Sequence, residues 1–486
     1  MKKKVLVSTL SAALSLLFIS PMSVSAYISY KGYTYNRFNR PVESAVVYEP
    51  ERTAFTDQEK RLSFAGTKDM FIDKNGYFYL IGENNQITVM DHNFKFVKSI
   101  AEFKEKDGQS YVLNKPQGIY VKDDLLYIAD TDNNTVVVAD MNGNIKMKIQ
   151  KPDSELYPAE SDFKPLKVTV DSANNVYVIV LGLFQGAVSF NRDGEFIEFY
   201  GANRVEGTVA VLNNLIWKKF MTKEQKASLE RFVPVEYVSF DTDPDDFIYT
   251  CTSKSASSTG ELRKLNPVGN NVWQSGDNFG DLEVATIKGV YHDTGFVDVA
   301  VDDSGFVYGL DETRCRIFQY DNDSSLVSIF GGKGESVGTF VSPAAIDTYQ
   351  KSVYVLDSIM GSITEFRLTE YGDLVYQAVL MFNQGMYDES KDMWEQVVRS
   401  DNNNYLGYIG IGKSLLHSGD YQKAMQYFEL GNSRKSESTA FEEHRKEVMR
   451  DRFSFIITLV LVIIILLVMI SKRKKIALFL KRRATK

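Results

Sequence analysis

One stretch of the sequence, residues 113–148, contains a complete four-stranded β-unit. Its β-rich runs at 118–121, 125–129 and 135–140 are separated by turn residues, and an Asn-Gly pair at 142–143 favours a tight hairpin into a fourth strand. Such a sheet has two apolar faces and open edges, so it must stack on copies of itself to be stable. The sequence therefore predicts that this unit recurs along the chain.

The copies share an apolar strand, a turn that contains aspartate, and a tyrosine in the following strand. They lie at residues 71–82, 119–130, 168–180, 238–250, 299–311 and 345–357. Radial stacking of six small sheets protects their edges, as in a β-propeller. We therefore predict a mainly β fold in which residues 64–370 form a six-bladed propeller.

Three copies keep a tighter Tyr-x-x-Asp signature, in which the Asp is placed to bond turn amides. The pairs are Tyr127 and Asp130, Tyr308 and Asp311, and Tyr354 and Asp357. Together with the Gly-rich link at 330–346, these residues resemble the NHL repeat. The resemblance covers about 64–368. It implies a six-bladed propeller, a fold that hosts binding of protein, sugar and nucleic acid as well as lactone and peptide chemistry.

Both ends of the chain indicate export and membrane anchoring. Residues 1–26 combine three early lysines, an apolar run and small residues at the expected cleavage site, which predicts a signal peptide. Residues 453–470 carry no charge and are long enough to cross a bilayer, and a basic tail follows at 471–486. We predict a single-pass type I protein of the plasma membrane with most of the chain outside the cell.

The charge balance disfavours nucleic acid as a partner. The net charge is −7, but the signal peptide carries +3 and residues 472–486 carry +8, so the remainder has −7 − 3 − 8 = −18. An acidic exterior part repels phosphate backbones. The basic tail is suited to anionic lipid at the inner leaflet.

The chain has only two cysteines, Cys251 and Cys315, which do not make a disulfide framework. We interpret both as small apolar strand residues. A single bridge between blades is the alternative, because the sequence does not give their separation.

Two segments depart from the repeat pattern. Residues 27–63 are aromatic and irregular, and we predict that they close the ring by adding a strand to the last blade. Residues 206–232 contain strong helix formers after a capping-box pair, Thr222 and Gln225. This helix is either a tolerated surface insertion or a lid or docking element.

From Tyr371 the apolar period changes from two to about 3.6, which predicts helices over 371–452. Similar residues recur 34 positions apart: Gly385 and Gly419, Tyr387 and Tyr421, Ser390 and Ala424, and Trp394 and Phe428. This pattern resembles tetratricopeptide (TPR) repeats, in which such glycines and aromatics pack paired helices. The resemblance implies a concave groove for a partner's peptide or helix and a capping helix at about 437–452; a rigid spacer is the alternative.

No catalytic motif is present. The four histidines, His92, His292, His417 and His444, have no metal-binding spacing, and there is no nucleophile elbow, P-loop or C-x-x-C. Residues 241–246, DTDPDD, resemble the opening of a calcium loop but lack its glycine and its distal glutamate. We predict no catalytic residue and no cofactor, with Ca²⁺ at this turn as an alternative to a plain hairpin and the metal ligands unknown.

We expect a cell-surface recognition or scaffold protein whose propeller binds a glycan, a peptide or a membrane partner such as a transporter, and whose helical repeats bind protein. The architecture resembles surface proteins that Gram-positive bacteria encode beside sugar uptake systems. The alternative is a metal-dependent hydrolase, similar to gluconolactonase, in the propeller channel. Carboxylate and amide side chains converging at one channel mouth would distinguish the hydrolase.

Overall fold

The computed structural model describes residues 28–36, 38–57, 63–201, 236–252, 262–273, 279–282, 285–287, 290–292 and 294–484. The predicted signal peptide at 1–26 and the predicted helical insertion at 206–232 lie outside these residues.

The strands of the N-terminal segment and of the first three blades follow in chain order. They are β1 (Tyr33–Tyr35), β2 (Pro41–Glu43), β3 (Tyr48–Phe55), β4 (Thr67–Ile72), β5 (Phe78–Gly82), β6 (Ile87–Met90), β7 (Phe96–Ile100), β8 (Phe103–Lys104), β9 (Ser110–Tyr111), β10 (Gly118–Lys122), β11 (Leu125–Asp130), β12 (Thr135–Asp140), β13 (Ile145–Ile149), β14 (Pro165–Val170), β15 (Val176–Val180), β16 (Ala187–Phe190) and β17 (Phe196–Tyr200).

The strands of the last three blades continue the order. They are β18 (Tyr237–Thr242), β19 (Ile248–Thr252), β20 (Leu262–Leu265), β21 (Ala285–Ile287), β22 (Val290–His292), β23 (Phe296–Val301), β24 (Val307–Asp311), β25 (Arg316–Tyr320), β26 (Leu326–Gly331), β27 (Pro343–Tyr349), β28 (Ser352–Asp357) and β29 (Ser362–Leu368).

Six antiparallel sheets of these strands are arranged as a ring, and β1–β2, β8–β9 and β21–β22 form three separate two-stranded sheets. Blades one, two, three and five are β4–β7, β10–β13, β14–β17 and β23–β26, and blade four has β18–β20 among the described residues. The first strand of each blade contacts the first strand of the next, including β27 of blade six against β4 of blade one. The predictions of a mainly β fold and a six-bladed propeller are confirmed.

The ring is closed by the N-terminal segment. Blade six has the strand order β27-β28-β29-β3, so its outermost strand comes from the start of the chain. The β29–β3 register runs from Ser362 opposite Phe55 to Leu368 opposite Tyr48. The Tyr48 side chain is fully buried and stacks on Phe330 at a centroid distance of 4.6 Å. The predicted closure strand is therefore present, and it spans 48–55.

A hydrogen-bonded clasp explains why the sequence repeats aspartate, turn and tyrosine. In four blades the Asp that follows the first strand accepts the backbone N–H four residues later and the Tyr hydroxyl six residues later. The Asp and Tyr pairs are Asp73 and Tyr79, Asp171 and Tyr177, Asp243 and Tyr249, and Asp302 and Tyr308, with hydroxyl distances of 3.0–3.3 Å. The carboxylate thus holds the hairpin closed at both its turn and its second strand.

Five helices follow the propeller: α1 (Glu370–Asn383), α2 (Tyr387–Ser400), α3 (Tyr405–His417), α4 (Tyr421–Leu430) and α5 (Arg434–Ala484). Thr369 caps α1 by accepting the N–H of Gly372. Consecutive helices pack on one another as a row. Buried residues of α1–α5 and of blades five and six form one continuous apolar core.

The last helix is continuous over 51 residues, which corresponds to about 76 Å. Its N-terminal part packs on α4, whereas its apolar stretch is exposed along its whole length. The cap expected at 437–452 and the span expected at 453–470 are thus parts of one helix, which is long and apolar enough to cross a membrane once.

The cysteines are free and buried. Cys251 lies in β19, as expected for a small apolar strand residue. Cys315 was expected in a strand as well, but it occupies a left-handed position with φ of 57° just before β25. The residue is therefore part of a turn.

We expect removal of β3 to abolish cooperative folding. A chain of residues 63–452 exposes the edge of β29 and lacks the buried Tyr48. Its free energy of unfolding should fall by more than about 5 kcal/mol, which is the lower end of the range of about 5–15 kcal/mol that is typical of folded proteins. Residues 46–452, which lack β1 and β2 but keep β3, are the matched control. Circular dichroism melts of both and of residues 27–452 test this. Equal melting temperatures for all three chains would show that β3 does not hold the ring.

Candidate functional site

The propeller channel is crossed by a three-blade ion network. The Lys167 ammonium lies 2.5 Å from Asp69 Oδ1 and 3.3 Å from Asp298 Oδ1. These residues belong to the first strands of blades three, one and five. Their side chains are 14%, 5% and 4% exposed, so the network is almost closed to solvent. The lysine thus joins alternate blades across the axis.

The channel carboxylates also tie four of the six blades to the blade that follows. Four Asp residues on first strands accept a backbone N–H from the first strand of the following blade. The pairs of acceptor and donor are Asp69 and Ile119 (2.8 Å), Asp241 and Val301 (2.9 Å), Asp298 and Ile346 (2.8 Å), and Asp347 and Ile72 (2.6 Å). The last pair joins blade six to blade one. These aspartates therefore stabilise the ring itself.

Burial controls the ionisation of this network. It raises the pKa of Asp69, Asp241 and Asp347 above the usual range, and hydrogen bonds from backbone amides oppose the shift only in part. Burial lowers the pKa of Lys167, but the charges of Asp298 and Asp69 outweigh it and raise the pKa above its ordinary value. The lysine therefore stays protonated at neutral pH.

The channel does not fit a catalytic metal at this level. The cavity between the lining side chains is about 30 Å³, which leaves room for about two water molecules. An ammonium already lies between two of the carboxylates, and each of the four carboxylates accepts a backbone amide. In the part of the chain that is described, no group of three or more His, Cys, Asp or Glu side chains could hold a metal ion.

The Asp residues of the Tyr-x-x-Asp signature lie at the ends of second strands, where each is fully buried. Asp130 accepts the N–H of Asn114, Asp311 that of Gly295, and Asp357 that of Val341, at 2.6–2.8 Å. Each donor belongs to the segment that enters the same blade. These aspartates fix the blade-to-blade links. Of the signature tyrosines, Tyr308 bonds Asp302 and Tyr354 bonds Glu365 at 3.1 Å, and Tyr127 packs in the apolar core.

The carboxylates of the 241–246 turn do not converge. Asp241 faces the channel, Asp243 accepts the amides of its own hairpin, and Asp246 accepts the N–H of Ser172 in blade three at 2.7 Å. The arrangement is that of a hairpin turn and an interblade contact. Calcium binding there stays a prediction.

Two glycines of the 34-residue period lie in turns between helices. Gly385 and Gly419 have φ of 80° and 85°, a conformation that favours glycine. They end the first helix of each pair, so α2 and α4 start at Tyr387 and Tyr421, which are half-buried. His417 stacks on Tyr387 with ring centroids 4.6 Å apart.

The two buried aromatics of the period fill the spaces between helices. Trp394 and Phe428 are 3% and 0% exposed. A Cβ at Gly410 would lie 2.4 Å from the Trp394 ring, and one at Gly412 would lie 2.7 Å from the Phe428 ring. The glycines of α3 therefore allow close helix approach. Of the six positions of the period, Trp394 and Phe428 pack between helices and Gly385 and Gly419 form turns, and none of the six lines the cleft between blade six and α1.

A cleft of about 1110 Å³ lies where the closing strands of blade six meet blade one and the start of α1. Its floor is Glu365, whose side chain is 2% exposed. Glu365 accepts hydrogen bonds from Ser352 Oγ (3.0 Å), Tyr354 Oη (3.1 Å), Arg367 Nε (3.3 Å) and Arg52 Nε. Burial raises the pKa of Glu365, but the hydrogen bond and the charge of Arg52 outweigh it and keep the pKa below its usual value.

The walls of the cleft are held by polar contacts. Arg52 also donates to the carbonyl of His92 at 2.5 Å and lies 4.6 Å from the centroid of the Phe94 ring. At the rim, Lys351 and Asp373 join the first hairpin of blade six to α1 at 2.8 Å. The cleft was missed from the sequence because Arg52, His92 and Asp373 are brought together only by ring closure and helix docking. Arg52 directly opposite Glu365 in the β3–β29 register is the one local signal.

Comparison with known proteins identifies an NHL repeat in one blade. The sequence profile of the NHL repeat matches residues 113–139, which lie in blade two. No curated protein sequence matches the chain at a significant level.

Among solved structures, the chain is similar to virginiamycin B lyase from Staphylococcus aureus, with 10% identity and a TM-score of 0.38 over 66% of this chain and 100% of that chain. It is also similar to a protein of unknown function from Bacteroides thetaiotaomicron, with 12% identity and a TM-score of 0.41 over 67% and 77% of the two chains. A third is the WD40 β-propeller domain of Doa1, with 9% identity and a TM-score of 0.38 over 67% and 98%. These likenesses concern the fold alone.

We expect Lys167→Met to destabilise the propeller by about 3–5 kcal/mol, because it leaves two buried carboxylates without their cation. Urea unfolding of residues 27–452 measures the change. The double variant Asp69→Asn with Lys167→Met should recover part of the loss, since one of the two carboxylates is then neutral. A Lys167→Met chain as stable as the original would show that the network does not contribute to stability.

We also expect the free energy of unfolding to fall as pH rises from about 4 towards neutral. Asp69, Asp241 and Asp347 have raised pKa values in the folded chain, so over this window the folded state binds more protons than the unfolded state. Denaturant unfolding at several pH values tests the sign. Asp241→Asn removes one titrating group and should flatten the dependence, whereas a steeper one would contradict its assignment.

Proposed function

We propose that the protein is a membrane-anchored surface receptor or scaffold, in which the propeller binds an extracellular ligand and the helices hold the propeller at the membrane. The observation that carries this proposal is the shared core of α1–α5 with blades five and six, combined with the continuity of α5 into its exposed apolar stretch. A binding module joined in this way keeps a fixed position relative to its anchor.

Three contacts support a rigid junction. The Tyr376 ring of α1 stacks on Phe306 of blade five at 4.5 Å, and its hydroxyl donates to Asp302 at 3.3 Å. Burial raises the pKa of Asp302 to about 6. Lys413 of α3 lies 3.0 Å from Asp323 in the same blade. A buried aromatic contact and a hydrogen bond on α1, together with an ion pair on α3, leave little freedom for the helices to rotate.

The N-terminal segment adds a second connection. Ser44 Oγ and the N–H of Ala45 donate to Asp401 Oδ2 at 2.5 and 3.0 Å, and Asn403 donates to the carbonyl of Glu43 at 3.1 Å. Asp401 ends α2, so the segment that leads into β3 also touches the second helix. The propeller is therefore attached to the helices at both ends of its own chain.

The helices are best interpreted as two TPR-like pairs that act as a spacer. Their 34-residue period, turn glycines and buried aromatics fit that family. Tyr376 of α1 and Lys413 of α3 both contact blade five, so this side of the first helix in each pair faces the propeller. Binding of a partner's peptide to the repeats would have to use another side of the row.

The hydrolase alternative has less support. It requires carboxylate and amide groups that converge on a free position in the channel. The four channel aspartates accept backbone amides, and Lys167 lies between two of them. We therefore place ligand recognition outside the channel.

Cysteine labelling of intact cells tests the proposed topology. Gln109 in the propeller and Arg483 in the basic tail are exposed, so single Gln109→Cys and Arg483→Cys variants report the side of the membrane on which each part lies. The native Cys251 and Cys315 are buried and should give little background labelling. We expect an impermeant maleimide to label position 109 at once and position 483 only after the membrane is permeabilised. Labelling of both positions in intact cells would overturn the single-pass anchor.

Melting of residues 27–452 with panels of oligosaccharides, peptides and lactones tests recognition. A ligand at 100 times its Kd adds about 2.7 kcal/mol, a readily measured shift. Hydrolysis of a lactone that depends on a divalent metal would overturn the receptor proposal in favour of the hydrolase.

A further inference from the structure

We propose that the cleft between blade six and α1 binds a neutral oligosaccharide. This inference rests on the proposed function, since it names the site and the ligand class of the recognition step. The cleft has the size and the position expected of a ligand site. At about 1110 Å³ it lies just above the usual range of about 300–1,000 Å³ for small-molecule clefts, which leaves room for several sugar rings, and such clefts occur preferentially between domains.

The charges of the cleft favour an uncharged ligand. Arg52, Lys351 and Arg367 are matched by Glu365, Glu370 and Asp373, so the ionised lining groups sum to zero. The chain outside the signal peptide and the basic tail carries −18, which repels polyanions at longer range. An acidic ligand would therefore be repelled at long range, and the lining charges of the cleft itself offer no net attraction to an acidic or a basic ligand.

The lining chemistry matches hydroxyl groups better than a peptide. Leu368 is the one aliphatic side chain among the lining residues, and the two tyrosines that line the cleft, Tyr349 and Tyr354, carry polar hydroxyls, whereas peptide grooves offer several apolar pockets for anchoring side chains. Sugar hydroxyls both donate and accept hydrogen bonds. Paired acceptors and donors such as Asp373 and Lys351, with Gln350 between the strands beside them, suit adjacent hydroxyls of one ring.

The donors of the cleft are fixed in place before a ligand arrives. The Arg52 guanidinium is held by Glu365, the His92 carbonyl and the Phe94 ring, and Arg367 is held by Glu365 and by Glu51 at 3.2 Å. An arginine fixed through some of its five N–H groups offers the remaining ones without further ordering cost. This arrangement favours hydrogen-bonded binding over hydrophobic capture.

The rim pair provides a test that should leave the fold intact. Lys351 and Asp373 are 48% and 52% exposed, so Lys351→Ala with Asp373→Ala removes ligand contacts at little cost in stability. The matched control is Glu442→Ala with Lys446→Ala, an ion pair of similar exposure on α5. Both are made in residues 27–452 and melted to verify folding.

Titration calorimetry with panels of neutral oligosaccharides, uronic-acid-containing oligosaccharides and peptides is the experiment. We expect a neutral oligosaccharide to bind, the rim variant to weaken it at least about tenfold, and the control variant to leave it unchanged. Equal binding by the rim variant would overturn the cleft while the receptor proposal stands. Tighter binding of the uronic-acid-containing oligosaccharides than of the neutral ones would overturn the proposed ligand class. Binding of a peptide without binding of any oligosaccharide would overturn it as well. No binding of either class would contradict the receptor proposal as well.

Discussion

The structure depends on buried aspartates that bind backbone amides of a neighbouring element. In the channel, Asp69, Asp241, Asp298 and Asp347 each reach the first strand of the next blade. A blade is only a small sheet, and apolar contact between two such sheets is non-directional. A buried carboxylate that accepts a hydrogen bond from one particular amide fixes the relative position of two blades, because burying the carboxylate without a hydrogen-bond donor would cost free energy. The ring therefore has one register.

This constraint also determines what the channel carboxylates are available to bind. Carboxylates at a propeller axis could hold a metal, and the sequence alone left that alternative open. Here both oxygens of Asp298 are occupied, one by the N–H of Ile346 and the other by Lys167 and Ser239. Groups committed to holding the ring are poor ligands for a transient substrate. The recognition that we propose lies instead at the junction, where Arg52 and Glu365 line the cleft.

The propeller could be predicted because its repeat carries its own hydrogen bonds. Asp73 and Tyr79, or Asp302 and Tyr308, lie six residues apart in a single hairpin, so a local pattern reports a local clasp. A closing strand from residues 27–63 was predicted, but its bounds could not be, because they depend on pairing with β29 at the other end of the propeller sequence. The channel network does have a sequence signal, because an aspartate within an apolar first strand, such as Asp298 of β23, indicates a buried carboxylate that needs partners.

The cleft could not be predicted, because its parts lie far apart in sequence. Arg52 comes from the N-terminal strand, His92 from a hairpin of blade one, and Asp373 from a helix, and no local pattern relates them. Only the β3–β29 register and the docking of α1 bring them together. The same holds for the turn at Cys315, whose left-handed backbone is not typical of that residue.

The junction also constrains how a bound ligand could act. A ligand shifts a conformational equilibrium only by its differential affinity for the two states. The cleft joins blade six to α1, but these elements are already held by the core that contains Tyr48 and Tyr376 and by the contacts of Asp401. A second arrangement of propeller and helices would have to break that core. Binding in the cleft would therefore strengthen an existing junction, which suits capture of a ligand at the membrane better than transmission of a signal through the single helix.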